Sequence, residues 1–190
     1  MPLSKIRSQS INLADTFAFT GTVTGTDGGF TFPANQSLNG QSSVDFTGIP
    51  SGTNIIKFSI YRASGSTTGY PAIQIGDSGG IETSGYISQD TFSGFGGGTN
   101  YGGHSNTASS WGVTQWTSAS VALTFAGEIF RMSGNIWFCQ AAFLENDNSP
   151  NYFNNLRGFK TLSAELTQVR FTRTAGTYDD ANSYVRIGYQ

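Results

Sequence analysis

Residues 54–76 read NIIKFSIYRASGSTTGYPAIQIG, and the fold follows from how this stretch alternates. Ile56, Phe58 and Ile60 fall on one side of an extended chain, and Lys57, Ser59 and Tyr61 on the other, because successive side chains of a strand point to opposite faces. One face seeks a core and the other seeks water. A second run follows, in which Ile73 and Ile75 flank Gln74, and the intervening SGSTTG supplies the glycine and small polar residues of a connection. The pair reads as an antiparallel hairpin. At about 3.3 Å per residue, about eight residues of strand reach roughly 26 Å, enough for a central strand of a sandwich or barrel.

The same alternation extends outward in both directions. Upstream, GFTFPA and SVDFTG are short strands separated by NQSLNGQ; Pro33 cannot donate to a ladder and marks the first as an edge, while GIPSGTN turns the chain into the central strand. Downstream, DSGGIETSGY is a glycine-rich turn with a further apolar segment at Ile81 and Tyr86. Residues 88–118 are rich in Gly, Ser, Thr and Asn and read as an irregular loop, yet they carry Phe92, Phe95, Tyr101, Trp111 and Trp116. Such rings either pack back on the parent domain or face a ligand. In the last third, SVALTFAGEIFRM turns Val121, Leu123 and Phe125 inward, and NIWFCQAAFLE is almost continuously apolar, as a strand buried on both faces or set at a subunit interface would be. ENDNSPNYFNNLRGF reads as a loop before the alternating LTQVRFTRTA, and TYDDANS makes the last turn before YVRIGY. Eight to ten short strands with no helical period predict an all-β, two-sheet antiparallel sandwich of jelly-roll type over residues 28–190, with a barrel as the alternative.

Residues 1–27 differ. Ile11, Leu13, Phe17, Phe19 and Val23 are too few to close a core alone, so this N-terminal segment needs a surface to lie on. It is either an edge strand of the sandwich or an attachment arm that docks on another subunit or a larger assembly.

Composition narrows the function. Charged residues are 12% of the chain, well under the roughly 25% of an ordinary soluble domain, while Gly 25, Phe 15 and Tyr 8 suit a turn-rich β protein. A net charge of −2, with ten Lys and Arg spread along the sequence, gives no basic cluster for nucleic acid. Cys139 is the single cysteine, which excludes an internal disulfide and reads as a small buried residue. MPLSKIRSQS lacks a signal-peptide core and no apolar run approaches a membrane span, so neither export by a leader nor a membrane role is expected.

The inventory for catalysis is thin. His104 is the single histidine and sits in GGHSN, a loop context rather than a nucleophile elbow. The carboxylate pairs Glu145/Asp147 and Asp179/Asp180 lie in Asn- and Ser-rich turns, where Asp serves backbone hydrogen bonds. ENDNSPN has oxygen ligands without EF-hand spacing, so neither a metal nor another cofactor is expected. Tyr101, His104, Trp111 and Trp116 are the candidate glycan contacts: rings stack on the apolar face of a pyranose, and the nearby Asn100, Asn106 and Gln115 would bond its hydroxyls. The competing reading packs these rings on the sandwich.

TGIPSGTNIIKFSIYRAS, IQIGDSGGIETSGY, and LTQVRFTRT followed by YDDANSYVRIGY resemble the C-terminal β-sandwich domain of tail-fibre and other virion-surface proteins of tailed bacteriophages, especially phages of marine bacteria and cyanobacteria. SQSINLADTFAFTGTVTG resembles the short lead-in to that domain, so the likeness covers most of the chain; residues 88–116 match no part of it. Two features depart from the family: there is no long shaft, and Arg186 and Gly188 stand where aliphatic or Asn residues are more common. The resemblance implies a non-enzymatic virion protein, assembled in the host cytoplasm, a homotrimer attached to other phage virion proteins through Ile11, Leu13, Phe17 and Phe19 of its arm. Its expected role is a tail fibre or receptor-binding protein contacting host cell-surface glycan. The alternatives are a capsid decoration protein and a polysaccharide-degrading tailspike.

Overall fold

The computed structural model describes residues 29–94, 101–112, 122–145 and 152–190. The segment with Ile11, Leu13, Phe17 and Phe19, and also Trp116, lies outside the described residues. The described chain is all-β, in two antiparallel sheets packed face to face. The larger runs in the order β1 (Gln36–Ser37), β13 (Tyr184–Tyr189), β3 (Ile55–Ala63), β9 (Leu123–Ser133), β10 (Ile136–Glu145), β11 (Tyr152–Thr161), β6 (Tyr86–Gly94), β7 (Tyr101–Ala108). The smaller runs β2 (Ser43–Thr47), β12 (Gln168–Arg173), β4 (Pro71–Asp77), β5 (Gly80–Ile81), with β8 (Trp111–Gly112) also paired to β4. Successive strands β1 to β4 alternate between the sheets, and β12 and β13 return one to each. This is jelly-roll winding, with β10, β11, β6 and β7 widening one sheet beyond β9.

That winding overturns the hairpin expected from residues 54–76, because β3 and β4 lie in opposite sheets. The chain leaves β3 through a register shift between Ile60 and Ala63, where Arg62 holds φ 55°, a left-handed value uncommon outside glycine. Its backbone N–H donates to Thr124 Oγ1 at 3.3 Å and its Nε to Asp180 Oδ2 at 2.6 Å, so contacts on both sides hold the turn. Beyond it, all seven residues of β4 are buried. Two further expectations are corrected. Residues 152–161 form strand β11 instead of a loop, and residues 88–118 contain most of β6 and all of β7 and β8. Pairing with β10 and β6 overrides the weak strand propensity of NNLRGFK, whose inward positions are Leu156, Gly158 and Lys160.

A file of phenylalanines crosses the core. Phe46 meets Phe171 edge-on at 6.1 Å, Phe171 meets Phe58 of the other sheet at 5.5 Å, and Phe125 continues from Phe58 to Phe143 at 4.6 Å. Next to this file the sheets are joined by a polar contact. β8 pairs with residues 72–73 of β4 and β5 with residues 76–77, which leaves Ile75 between them without a strand partner on that side. The hydroxyl of Tyr86, from the opposite sheet, accepts the Ile75 N–H at 2.8 Å and lies 3.1 Å and 3.0 Å from the Ile75 and Glu82 carbonyls. Trp111 packs edge-on against the Tyr86 ring at 5.2 Å and sits directly over Gly158. A Cβ at Gly158 would stand 2.6 Å from the indole and 2.2 Å from the Ile87 carbonyl oxygen.

The Glu82 side chain ties the same corner to the far end of β11. Burial pushes its carboxyl up, but the hydrogen bonds from Lys160 and Ser163 outweigh this and leave it below the usual carboxylate range. Asp77 is likewise held low, chiefly by the Ser163 hydroxyl at 2.6 Å and then by the Gly79 N–H at 2.7 Å.

Gly158→Ala is expected to cost about 3 kcal/mol, since backbone and indole both block the new methyl. Tyr86→Phe is expected to cost about 1–3 kcal/mol by stranding the Ile75 N–H. Urea unfolding measures both, and a wild-type midpoint for Gly158→Ala would contradict the packing of Trp111. Because the folded acid constants of Asp77 and Glu82 are depressed, their stabilisation is full above the unfolded values near about 4 and is lost as pH falls through the folded ones. The melting temperature should therefore hold above about pH 5 and fall below about pH 4. Asp77→Asn should reduce that fall.

Candidate functional site

The residues expected to contact glycan do not form one site. Trp111 is 0% exposed and belongs to the core between the sheets, so its ring cannot stack on a sugar, and this assignment is corrected in favour of packing on the parent domain. Tyr101 and His104 lie on β7 at the edge of the larger sheet, opposite Phe92 and Gln89 in register. The acidic pair Asp179/Asp180 serves the turn: Asp180 accepts the Asn182 N–H at 2.8 Å and the Arg62 guanidinium, and Asp179 accepts the Ser64 hydroxyl. The Asn182 hydrogen bond, followed by that of Arg62, holds the Asp180 carboxyl below its usual range. Glu145 ends β10, and Asp147 lies outside the described residues.

β10 is not buried on both faces. Trp137, Cys139, Ala141 and Phe143 face the core, while Ile136 and Leu144 are 39% and 53% exposed on the outer side. Those two are part of a larger asymmetry. Phe32, Tyr61, Met132, Ile136, Leu144, Phe159 and Tyr184 are the exposed large apolar residues among the described ones. Strand alternation puts Tyr61, Ile136, Leu144, Phe159 and Tyr184 on the outer face of the eight-stranded sheet, Phe32 packs over Gly188 of that face, and Met132 lies at the bulge near the end of β9. The outer face of the smaller sheet is polar and internally satisfied. There Arg170 makes a two-pronged pair with Asp45 at 2.7 Å on each prong, and Gln168 Nε2 donates to the Asp77 carbonyl at 2.7 Å.

Register orders the outer face of the larger sheet into rungs that cross the strands. Ile55, Phe130, Phe138, Phe159 and Ile87 make one apolar rung over β3, β9, β10, β11 and β6, with Phe130 and Phe138 rings 5.1 Å apart. Toward the other end of the strands, Tyr61 and Tyr184 lie side by side with centroids 5.5 Å apart. Between them run two rungs of different character. Gly188, Lys57, Glu128, Gln140, Arg157 and Gln89 form the first; Arg186, Ser59, Ala126, Ala142, Asn155 and Thr91 form the second.

The small residues of these middle rungs leave a depression. A groove of about 390 Å³ lies over Ala126, Gly127 and Ala142, and shares Asn155 and Arg157 with a second hollow of about 190 Å³ reaching Gln89 and Thr91. At its other end it shares Lys57 with a third, of about 220 Å³, reaching Arg186 and Gly188. The three form one trough perpendicular to the strands. Glu128 within it accepts Gln140 Nε2 at 2.6 Å. Lys57 lies 5.0 Å over the Phe30 ring and Arg186 4.7 Å over the Phe32 ring, and Gly188 lets Phe32 approach the sheet, since a Cβ there would stand 2.3 Å from that ring. The alternation of β3 and β13 was legible in the sequence. The trough was not, because it depends on which strands are neighbours.

No protein family, curated protein or solved structure matches this chain.

Trp111→Ala should cost about 3–5 kcal/mol, the range for a large ring deleted from a core. Thermal unfolding checks it. A Trp111→Ala protein that melts like the wild type would return this ring to the surface and to the list of ligand contacts.

Proposed function

We propose that this chain is a non-enzymatic structural protein of a tailed-bacteriophage virion, a tail-fibre or receptor-binding protein that works by presenting the outer face of its eight-stranded sheet. The observation that carries this reading is the concentration of exposed large apolar residues of the described chain, Phe32, Tyr61, Ile136, Leu144, Phe159 and Tyr184, on that face, beside a polar trough, while the described part of the opposite face is closed by its own ion pair and amide. The resemblance of TGIPSGTNIIKFSIYRAS and IQIGDSGGIETSGY to virion-surface domains supplies the viral context. Use of Asp179 and Asp180 as turn ligands favours a binding role over a polysaccharide-degrading one.

The apolar rung through Phe130, Phe138 and Phe159, continued by Met132 and Ile136, suits contact with neighbouring copies in a homotrimer at one end of the strands and leaves the trough open. The same rung also favours a second reading, capsid decoration, in which the neighbours it covers are head subunits. In either case the protein would act in the virion after assembly in the host cytoplasm.

Phe138→Ser with Phe159→Ser should convert an oligomer into monomers with little loss of domain stability, because both side chains lie on the outer face. Light scattering with a parallel thermal melt reads the two effects separately. A wild-type chain that is monomeric at micromolar concentration would remove the oligomer from the proposal. Labelling intact particles and imaging them by electron microscopy decides between tail and head. Absence of label from the particle would overturn the virion reading.

A further inference from the structure

The three hollows on the outer face join into a trough that crosses β13, β3, β9, β10, β11 and β6. Five inter-strand spacings of about 4.8 Å make it roughly 24 Å long, too long for a small metabolite and suited to an extended chain. Its charge departs from that of the whole molecule. The protein carries a net charge of −2, yet among the described residues Arg186, Lys57 and Arg157 line the trough against one carboxylate, Glu128. Glu128 is occupied by the amide of Gln140, and the exposed Arg157 meets no carboxylate among the described residues. The aromatic rings beneath Lys57 and Arg186 hold two of the cations against the sheet.

From this arrangement we propose that the trough binds an acidic polysaccharide, its carboxylates paired with Arg157, Lys57 and Arg186 and its hydroxyls bonded by Gln89, Gln140 and Asn155. Three considerations select this ligand. Guanidinium groups grip carboxylates with two parallel hydrogen bonds, which gives Arg157 a definite partner. The amides between the cations match a polymer whose charges are separated by neutral hydroxyl-bearing surface. The small floor of Ala126 and Ala142 admits a bulky ring close to the backbone. This inference rests on the receptor-binding reading above and supplies the chemical class of the receptor.

The full chain is tested against three acidic polysaccharides, alginate, hyaluronate and polysialic acid, with dextran as the neutral control and single-stranded DNA as an anionic polymer of another kind. Wild type should be retained by at least one acidic polysaccharide, less so as salt is raised, and not by dextran. Arg157→Gln should weaken binding at least about tenfold, the loss of one charge-assisted contact. Lys57→Gln should weaken it further when combined, and Glu128→Gln should strengthen it. All are surface changes, and an unchanged thermal melt confirms the fold of each variant. Failure of wild type on all three acidic polysaccharides, equal retention by dextran, equal or tighter binding of DNA, or wild-type affinity in Arg157→Gln with Lys57→Gln would each overturn the proposal. None of these outcomes bears on where the protein sits in the particle, which the labelling experiment decides separately.

Discussion

The hydrogen bond between the Tyr86 hydroxyl and the Ile75 N–H fixes the relation between the two sheets. A jelly roll can bury its apolar faces in many small offsets, because dispersion contacts are not directional. A buried N–H that must find a partner is directional, and Ile75 lies where the edge of the smaller sheet changes from β8 to β5. Filling that gap from the opposite sheet sets β6 against β4 to within a hydrogen bond. Trp111 then has one place to go, over Gly158, which pins β11 as well.

This inner contact has an outer consequence. Gly158 is followed inward by Lys160, so its neighbour Arg157 must face out, and Ser88 facing in sends Gln89 out. A slip of one residue in β11 would turn Arg157 into the core and Gly158 to the surface. The close approach of Trp111, which tolerates no Cβ at position 158, makes that slip costly. The far wall of the trough is thus held by packing on the other side of the same strands.

How much of this was readable beforehand varies by element. β3 declared itself through Ile56, Phe58 and Ile60, and β13 through Val185 and Ile187, because each alternates apolar and polar residues with nothing unusual inward. β11 did not, since its inward positions are Leu156, Gly158 and Lys160: a glycine that makes room for an indole, and a lysine that is buried by pairing with Glu82. Neither is a signal of a strand taken alone. β10 misled in the opposite sense. Ile136, Phe138 and Leu144 made it look buried on both faces, when they are the outward members of a sheet whose outer face is itself apolar. For Trp111 the sequence allows either cover or contact, because the choice depends on a glycine 47 positions later in the chain. The trough residues were invisible for the same reason. Lys57, Glu128, Gln140 and Arg157 are distant in sequence and become a row only through strand order.

Strand order also says which strands supply the trough. The jelly-roll part of the larger sheet is β1, β13, β3 and β9, and of the trough it would supply Arg186, Lys57, Ala126 and Glu128. The widening strands β10, β11 and β6 supply Gln140, Ala142, Asn155, Arg157 and Gln89, roughly half of the trough and one of its three cations. On β11, Gly158 and Lys160 depart from ordinary strand patterning, and Trp111 of β8 reaches across from the smaller sheet to pack over that glycine. A wider sheet exposes more edge-to-edge backbone hydrogen bonding to chance registers, so it needs a stronger register device. The Tyr86, Trp111 and Gly158 cluster provides one at the point where the extension meets the smaller sheet. The extension and its lock therefore form one unit: the first creates a long outer face, and the second keeps Arg157 and Gln89 on the outside.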